Sequence, residues 1–199
     1  MTIVLNSTTG ITTPPVSVEG STSGTITLVA PAVAGTNTQT LVAATGTLAP
    51  LIAGTAVAST SGTSIDFTGI PSWVDRITVM FSGVSTNGTT GFSIQLGDAG
   101  GIETTGYAVG TSNSATSTQE FPLTGGSGAA AGLYHGQCVI SLIGTNIWSV
   151  MAVVARSDTS IAFSMGGSKT LSDTLTQVRI KTGNGTDTFD AGSINILYE

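Results

Sequence analysis

Through the last two thirds of the chain apolar and polar residues alternate at a period of two, and no stretch sustains a helical period. Arg76–Ser82 puts Ile77, Val79 and Phe81 on one face and Arg76, Thr78 and Met80 on the other. Phe92–Leu96 alternates just as clearly. Between them Ser85-Thr-Asn-Gly-Thr89 is a turn signal, because Asn-Gly accepts the positive φ that tight turns demand. Cys138–Ile143 and Ile147–Ala155 flank Gly144-Thr-Asn146 and predict a hairpin. Both are apolar on both faces, as central strands covered on each side are, or strands at a subunit contact. Leu175–Lys181 and Ser193–Tyr198 are predicted to pair around a second Asn-Gly, at Asn184-Gly185. Only a short turn is expected at Ile70–Asp75. Strands and turns recurring roughly every ten residues predict an all-β fold. Residues 63–199 are expected to form a β-sandwich with jelly-roll-like connections.

Residues 1–62 read differently. Aromatics are absent from the first 66 positions, and Gly20–Gly35 and Thr36–Pro50 are low in complexity. Two short strands are predicted, Thr25–Ala30 and Thr38–Val42, separated by a Pro/Gly turn. Ordering some 60 residues costs roughly 1–2 kcal/mol each in backbone entropy. Small side chains offset this at only about 25 cal/mol per Å² buried. The segment is therefore either a linker or one part of a core completed by identical copies. The β-branched residues and tight turns favour the second, an intertwined β stalk that anchors and trimerises the chain.

Composition sharpens this picture. Of 199 residues, 27 are Gly, 35 Thr and 23 Ser, and only 8% are charged, against roughly 25% in an average domain. Glu19 is the one charged side chain in the first 65 residues, and all five basic residues lie at Arg76 or later. Charges near a symmetry axis would face their own copies, so their absence suits self-association. A net charge of −6 argues against a nucleic-acid partner. A mean hydropathy of +0.36 argues against charge-driven disorder. No apolar window of about 18 residues predicts a membrane span, and no basic start predicts a secretory signal. The single cysteine, Cys138, has no partner for an internal disulfide.

Few residues are candidates for chemistry. A hydrolytic triad needs a histidine between a serine and a carboxylate. The chain has one histidine, His135, and its nearest approach to Gly-x-Ser-x-Gly, Gly125-Gly-Ser-Gly-Ala129, lacks the final glycine. His135 is therefore read as a strand-edge residue. His135 and Cys138 are too few ligands for structural zinc. Thr182-Gly-Asn-Gly-Thr-Asp-Thr-Phe-Asp190 approaches the calcium-binding nonapeptide, but that motif works in tandem copies, and a turn on Asn184-Gly185 accounts for the same residues. Paired carboxylates for glycoside cleavage would have to come from Glu19, Asp66, Asp75, Asp98, Glu103, Glu120, Asp158, Asp173, Asp187, Asp190 and Glu199. Gly166-Gly-Ser-Lys-Thr170 lacks the spacing and the βαβ setting of a phosphate loop and is read as a loop. Trp73, Tyr107, Tyr134 and Trp148 are the aromatics available to a sugar; Trp148 and Trp73 are read as core. The residues assign no catalytic group, no metal ligand and no cofactor.

One long motif, Ile65-Asp-Phe-Thr-Gly-Ile-Pro-Ser-Trp-Val-Asp-Arg-Ile-Thr-Val-Met-Phe-Ser-Gly-Val-Ser-Thr-Asn87, resembles a module of bacteriophage tail-fibre and related virion proteins. The resemblance continues through Ile94–Asp98, Gly101–Tyr107 and Asn184–Tyr198. It implies a structural, non-enzymatic virion component: a homotrimeric tail fibre or fibre tip, assembled in the host cytoplasm. Residues 1–62 would bind other virion proteins, and the β domain would face host-surface glycans. The resemblance carries over no catalytic residue. Two alternatives accompany it, a capsid decoration protein or head fibre, and a glycan depolymerase.

Overall fold

The structure, a computed structural model, describes residues 16–19, 25–28, 50–113, 115–125 and 128–199. The chain forms two compact units, Met1–Thr47 and Leu48–Glu199. In the first, β1 (Val16–Glu19) and β2 (Thr25–Leu28) form an antiparallel pair with Val16 opposite Leu28. The strand expected at Thr38–Val42 and most of the expected stalk lie outside the described residues.

The second unit is all-β, with no helix among the described residues. Its strands are β3 (Ile52–Ala53), β4 (Val57–Ala58), β5 (Ser64–Thr68), β6 (Arg76–Thr86), β7 (Phe92–Asp98), β8 (Gly101–Ile102), β9 (Tyr107–Thr111), β10 (Phe121–Pro122), β11 (Tyr134–Gly144), β12 (Ile147–Arg156), β13 (Ile161–Thr170), β14 (Gln177–Thr182) and β15 (Phe189–Tyr198). They make two antiparallel sheets. One runs β10-β7-β14-β5 with β8 added to β7; the other runs β3-β15-β6-β11-β12-β13-β9 with β4 added to β15. The short strands β3 and β4 come from the stretch assigned above to the anchor, yet both pair with the last strand.

The predicted alternation places the core. Ile77, Val79 and Phe81 of β6 are buried together with Ile94 and Leu96 of β7 and Val178 and Ile180 of β14, so both sheets contribute to one apolar cluster. Phe92 sits at its centre, with the rings of Phe81, Tyr134 and Phe189 at 5.5, 5.4 and 6.3 Å. Tilted and edge-on contacts of this kind add to the area each ring removes from water.

One expectation holds and three change. The hairpin at Gly144-Thr-Asn146 forms, with β11 beside β12 and Asn146 at φ 55°. Neither Asn-Gly turn, however, closes a hairpin. β6 pairs with β15 and β11, whereas β7 lies in the other sheet; β14 pairs with β5 and β7, and β15 lies in the other sheet. Both turns are arches between sheets, because each flanking strand already has a neighbour on both sides. Gly166–Thr170, read as a loop, is the second half of β13. Gly167 is required there, since a Cβ would collide with the Ala108 carbonyl and the Phe121 ring. Trp73, read as core, is 41% exposed and leans on Tyr198 with ring centres 6.0 Å apart.

Candidate functional site

Each of the five basic side chains lies against a carboxylate: Arg76 with Glu199, Arg156 with Asp158, Lys169 with Glu103, Arg179 with Asp66 and Lys181 with Glu120. The pairs cancel, so the six remaining acids account for the whole net charge of −6. No lysine or arginine is left over to meet a phosphate chain.

The densest polar cluster sits where β7 ends. The Asp98 carboxylate accepts hydrogen bonds from Ser172 Oγ at 2.6 Å, Gly100 N at 2.8 Å and Asp173 N at 3.1 Å. Glu103 accepts one from Ser172 N at 2.7 Å and pairs with the buried Lys169 ammonium. Lys169 also donates to the Thr170 carbonyl and lies 5.5 Å from the Tyr107 ring centre. The Tyr107 hydroxyl accepts from Leu96 N at 2.9 Å and donates to the Glu103 carbonyl at 2.8 Å. The Ser172 hydroxyl, then the Gly100 amide, hold Asp98 below the usual carboxylate range. Burial pushes Glu103 upward, but the bonds from Lys169 and Ser172 outweigh it and leave its pKa lowered. Burial drives the Tyr107 phenol well above its ordinary value. Both carboxylates are thus ionised acceptors committed to their own chain. They staple the connection after β13 onto the end of β7.

Asp187, the acid of the nonapeptide-like segment, works the same way on the two arches. It accepts from Thr90 Oγ1 at 2.6 Å and from Asn184 Nδ2 at 2.9 Å, and these bonds lower its pKa. Asn184 Oδ1 in turn accepts from Thr186 N and Asp187 N, while Asn87 Oδ1 accepts from Thr188 N at 2.8 Å. A Cβ on Gly88 would run into the Asp187 carboxylate. The segment ties one arch to the other. Among the described residues no group of three or more His, Cys, Asp or Glu is placed to hold a metal ion.

The remaining candidates disperse. His135 is exposed near the start of β11, and its Nδ1 accepts the Gly83 amide at 3.2 Å. Cys138 is buried, which pushes its thiol well up and keeps it protonated. Tyr107, Tyr134 and Trp148 are buried and present no ring to solvent. A polar hollow of about 210 Å³ is lined by Thr90, Ser93, Glu120, Gly183 and Asn184. Ser93 Oγ and Lys181 Nζ already occupy the Glu120 carboxylate there.

What stands out is a surface. The outer face of the eight-stranded sheet carries the row Thr78, Val139, Met151, Gly166, Gly110 across β6, β11, β12, β13 and β9. The row beside it is Met80, Gln137, Val153 and Ser164. Met151 is 62% and Val153 51% exposed. Between them and the glycines runs a shallow trough of about 440 Å³. The outward residues of β11, β12, β13 and β9 include no carboxylate, lysine or arginine; on β6 the one such charge is Arg76, at the strand's end and paired with Glu199. The five-stranded sheet differs, since its partly exposed pair Asp66 and Arg179 bridges β5 and β14 through two 2.7 Å hydrogen bonds. The sequence flagged β12 as apolar on both faces. Its pattern left open whether the outer face was covered, because Met151 and Val153 look the same in either case. No protein-family model, curated protein or solved structure matches the chain.

Proposed function

We propose that the chain is a structural, non-enzymatic bacteriophage virion protein, a homotrimeric tail fibre or fibre tip that takes part in host-surface attachment. The observation that carries this reading is the uncharged outer face of β11–β13 with its exposed Met151 and Val153, a surface built for contact on a chain whose five basic side chains are all paired. The long virion-fibre motif adds to it, since Ile65–Asn87 supplies β5, β6 and the first arch. The two sheets around one core are read as a β-sandwich with jelly-roll-like crossings, and residues 1–62 as the anchoring and trimerising stalk that binds other virion proteins. Host-surface glycans are the proposed outward ligand, and the hydroxyl-rich surface supports neutral polar contacts with them. The engagement of Asp98, Glu103 and Asp187 with their own chain supports a non-enzymatic role over glycan depolymerisation, because a glycosidase acid must be free to reach a leaving oxygen.

The deciding experiment is electron microscopy of purified virions bearing a label on the C-terminus. Label at the tail extremity is expected. Label spread over the head shell would reject the tail reading in favour of capsid decoration.

A further inference from the structure

Two glycines on the outer face have no explanation within one chain. Gly110 of β9 and Gly166 of β13 sit directly opposite each other in register. Neither has a positive φ. A Cβ on Gly110 would meet nothing within 4 Å, and one on Gly166 only the Val150 carbonyl at 4.0 Å. Neighbouring Gly167, by contrast, is held to glycine by Ala108 and Phe121. Glycine inside a strand weakens it, and where no bulge or bend asks for it, it marks a site where a ligand or another backbone comes close. The two glycines form the floor of the trough, and Met151 and Val153 form the ridge beside it.

We propose that this face is the contact between copies of this chain in the β domain, the ridge of one protomer lying in the glycine trough of the next. The inference deepens the homotrimer reading and rests on it. Charge argues for a second copy over a foreign partner. The chain carries −6, so any acidic stretch would repel its own copy, and this is the broad face from which acids are missing. A ridge beside a trough seats in a copy of itself, and where each protomer gives its ridge to one neighbour and its trough to the other the contact is heterologous and closes into a ring when the rotation allows. Size argues the same way. Strands about 4.8 Å apart with about 3.3 Å per residue give this five-strand face roughly 600 Å² in plan. Side-chain relief brings that near the roughly 800 Å² per partner of a stable interface.

The test uses the full chain. Light scattering at micromolar concentration gives the oligomeric state. The maleimide labelling rate of Val153→Cys, compared with Thr159→Cys in an exposed turn, reports whether the face is covered; Cys138 is buried and stays silent. A trimer is expected, with Val153→Cys labelled at least about tenfold more slowly than Thr159→Cys. Adding Gly166→Val fills the trough without touching the protomer's own core and is expected to abolish that protection. A trimer whose Val153→Cys labels as fast as Thr159→Cys overturns the surface and leaves the trimer standing. A protected dimer keeps the surface and removes the trimer. A monomer overturns both.

Discussion

At the scale of single residues, the shortage of charge makes each ion pair individually assignable. Lys169 is the one buried cation, and its pairing with Glu103 removes both from ordinary surface behaviour. Removing one member of a buried pair costs more than removing both, because the survivor is left desolvated and alone. Lys169→Met is expected to destabilise the domain by about 3 kcal/mol, the lower end of the range for buried pairs, since Glu103 keeps some solvent contact. That corresponds to a fall of roughly 6–12 °C in melting temperature for a domain of this size. Adding Glu103→Gln should recover at least about 1 kcal/mol. Calorimetry of the two variants checks this, and a double variant no more stable than the single one would break the pairing argument. The sequence did not join these two residues: it named Glu103 among eleven acids and Lys169 only within the rejected phosphate loop. Partners 66 positions apart leave no local spacing to read.

Elements were legible to the extent that they are local. The strands predicted from alternation at Arg76, Phe92, Cys138, Ile147, Leu175 and Ser193 all exist, with ends displaced by a few residues. β13 was not predicted at all, and its second half was read as a loop because Gly166 and Gly167 are turn formers by propensity and strand residues by context. The Asn-Gly signals marked turns correctly but not what they join. Glycine roles also separate at this scale. Gly185 and Gly192 both have positive φ, at 68° and 92°. A Cβ on Gly185 meets nothing within 4 Å, whereas one on Gly192 strikes the main chain of Gly83 and Val84 across the β6–β15 bulge. Gly185→Ala is therefore expected to cost about 1–2 kcal/mol from backbone conformation alone. Gly192→Ala should cost more than about 3 kcal/mol, because two backbones cannot rotate apart as side chains can. Urea unfolding curves of the two variants test the contrast, and equal losses would show that the close approach is not limiting.

The whole molecule titrates as its carboxylates dictate. Asp98, Asp187 and Asp158 are held low mainly by hydrogen bonds from Ser172, Thr90 and Arg156, and Glu103 is held low against its burial. Each pKa is depressed on folding. Between the folded and unfolded values the unfolded chain binds more protons, so stability rises with pH there. The contribution is complete above the unfolded carboxylate values near ~4 and is lost as pH falls through the lower folded ones. Melting temperature should be nearly flat from about pH 7 to 5 and drop steeply below about 4. Asp187→Asn should shrink that drop, because it deletes one of the groups that must be protonated. An undiminished drop in the variant would remove Asp187 from the account.

Reading the chain alone was enough for the all-β class, six of the strands, the turns at the two Asn-Gly pairs and at Gly144–Asn146, and the shortage of charge. These follow from alternation, glycine and asparagine chemistry and composition, all of which act over a few residues. Tertiary structure decided which strands share a sheet, which carboxylate meets which cation, and which apolar face stays open. Met80, Val139, Met151 and Val153 come from three strands, and Gly110 joins Gly166 across more than fifty residues. A surface of that kind exists only once register brings its rows side by side, since each strand contributes only every second residue to it.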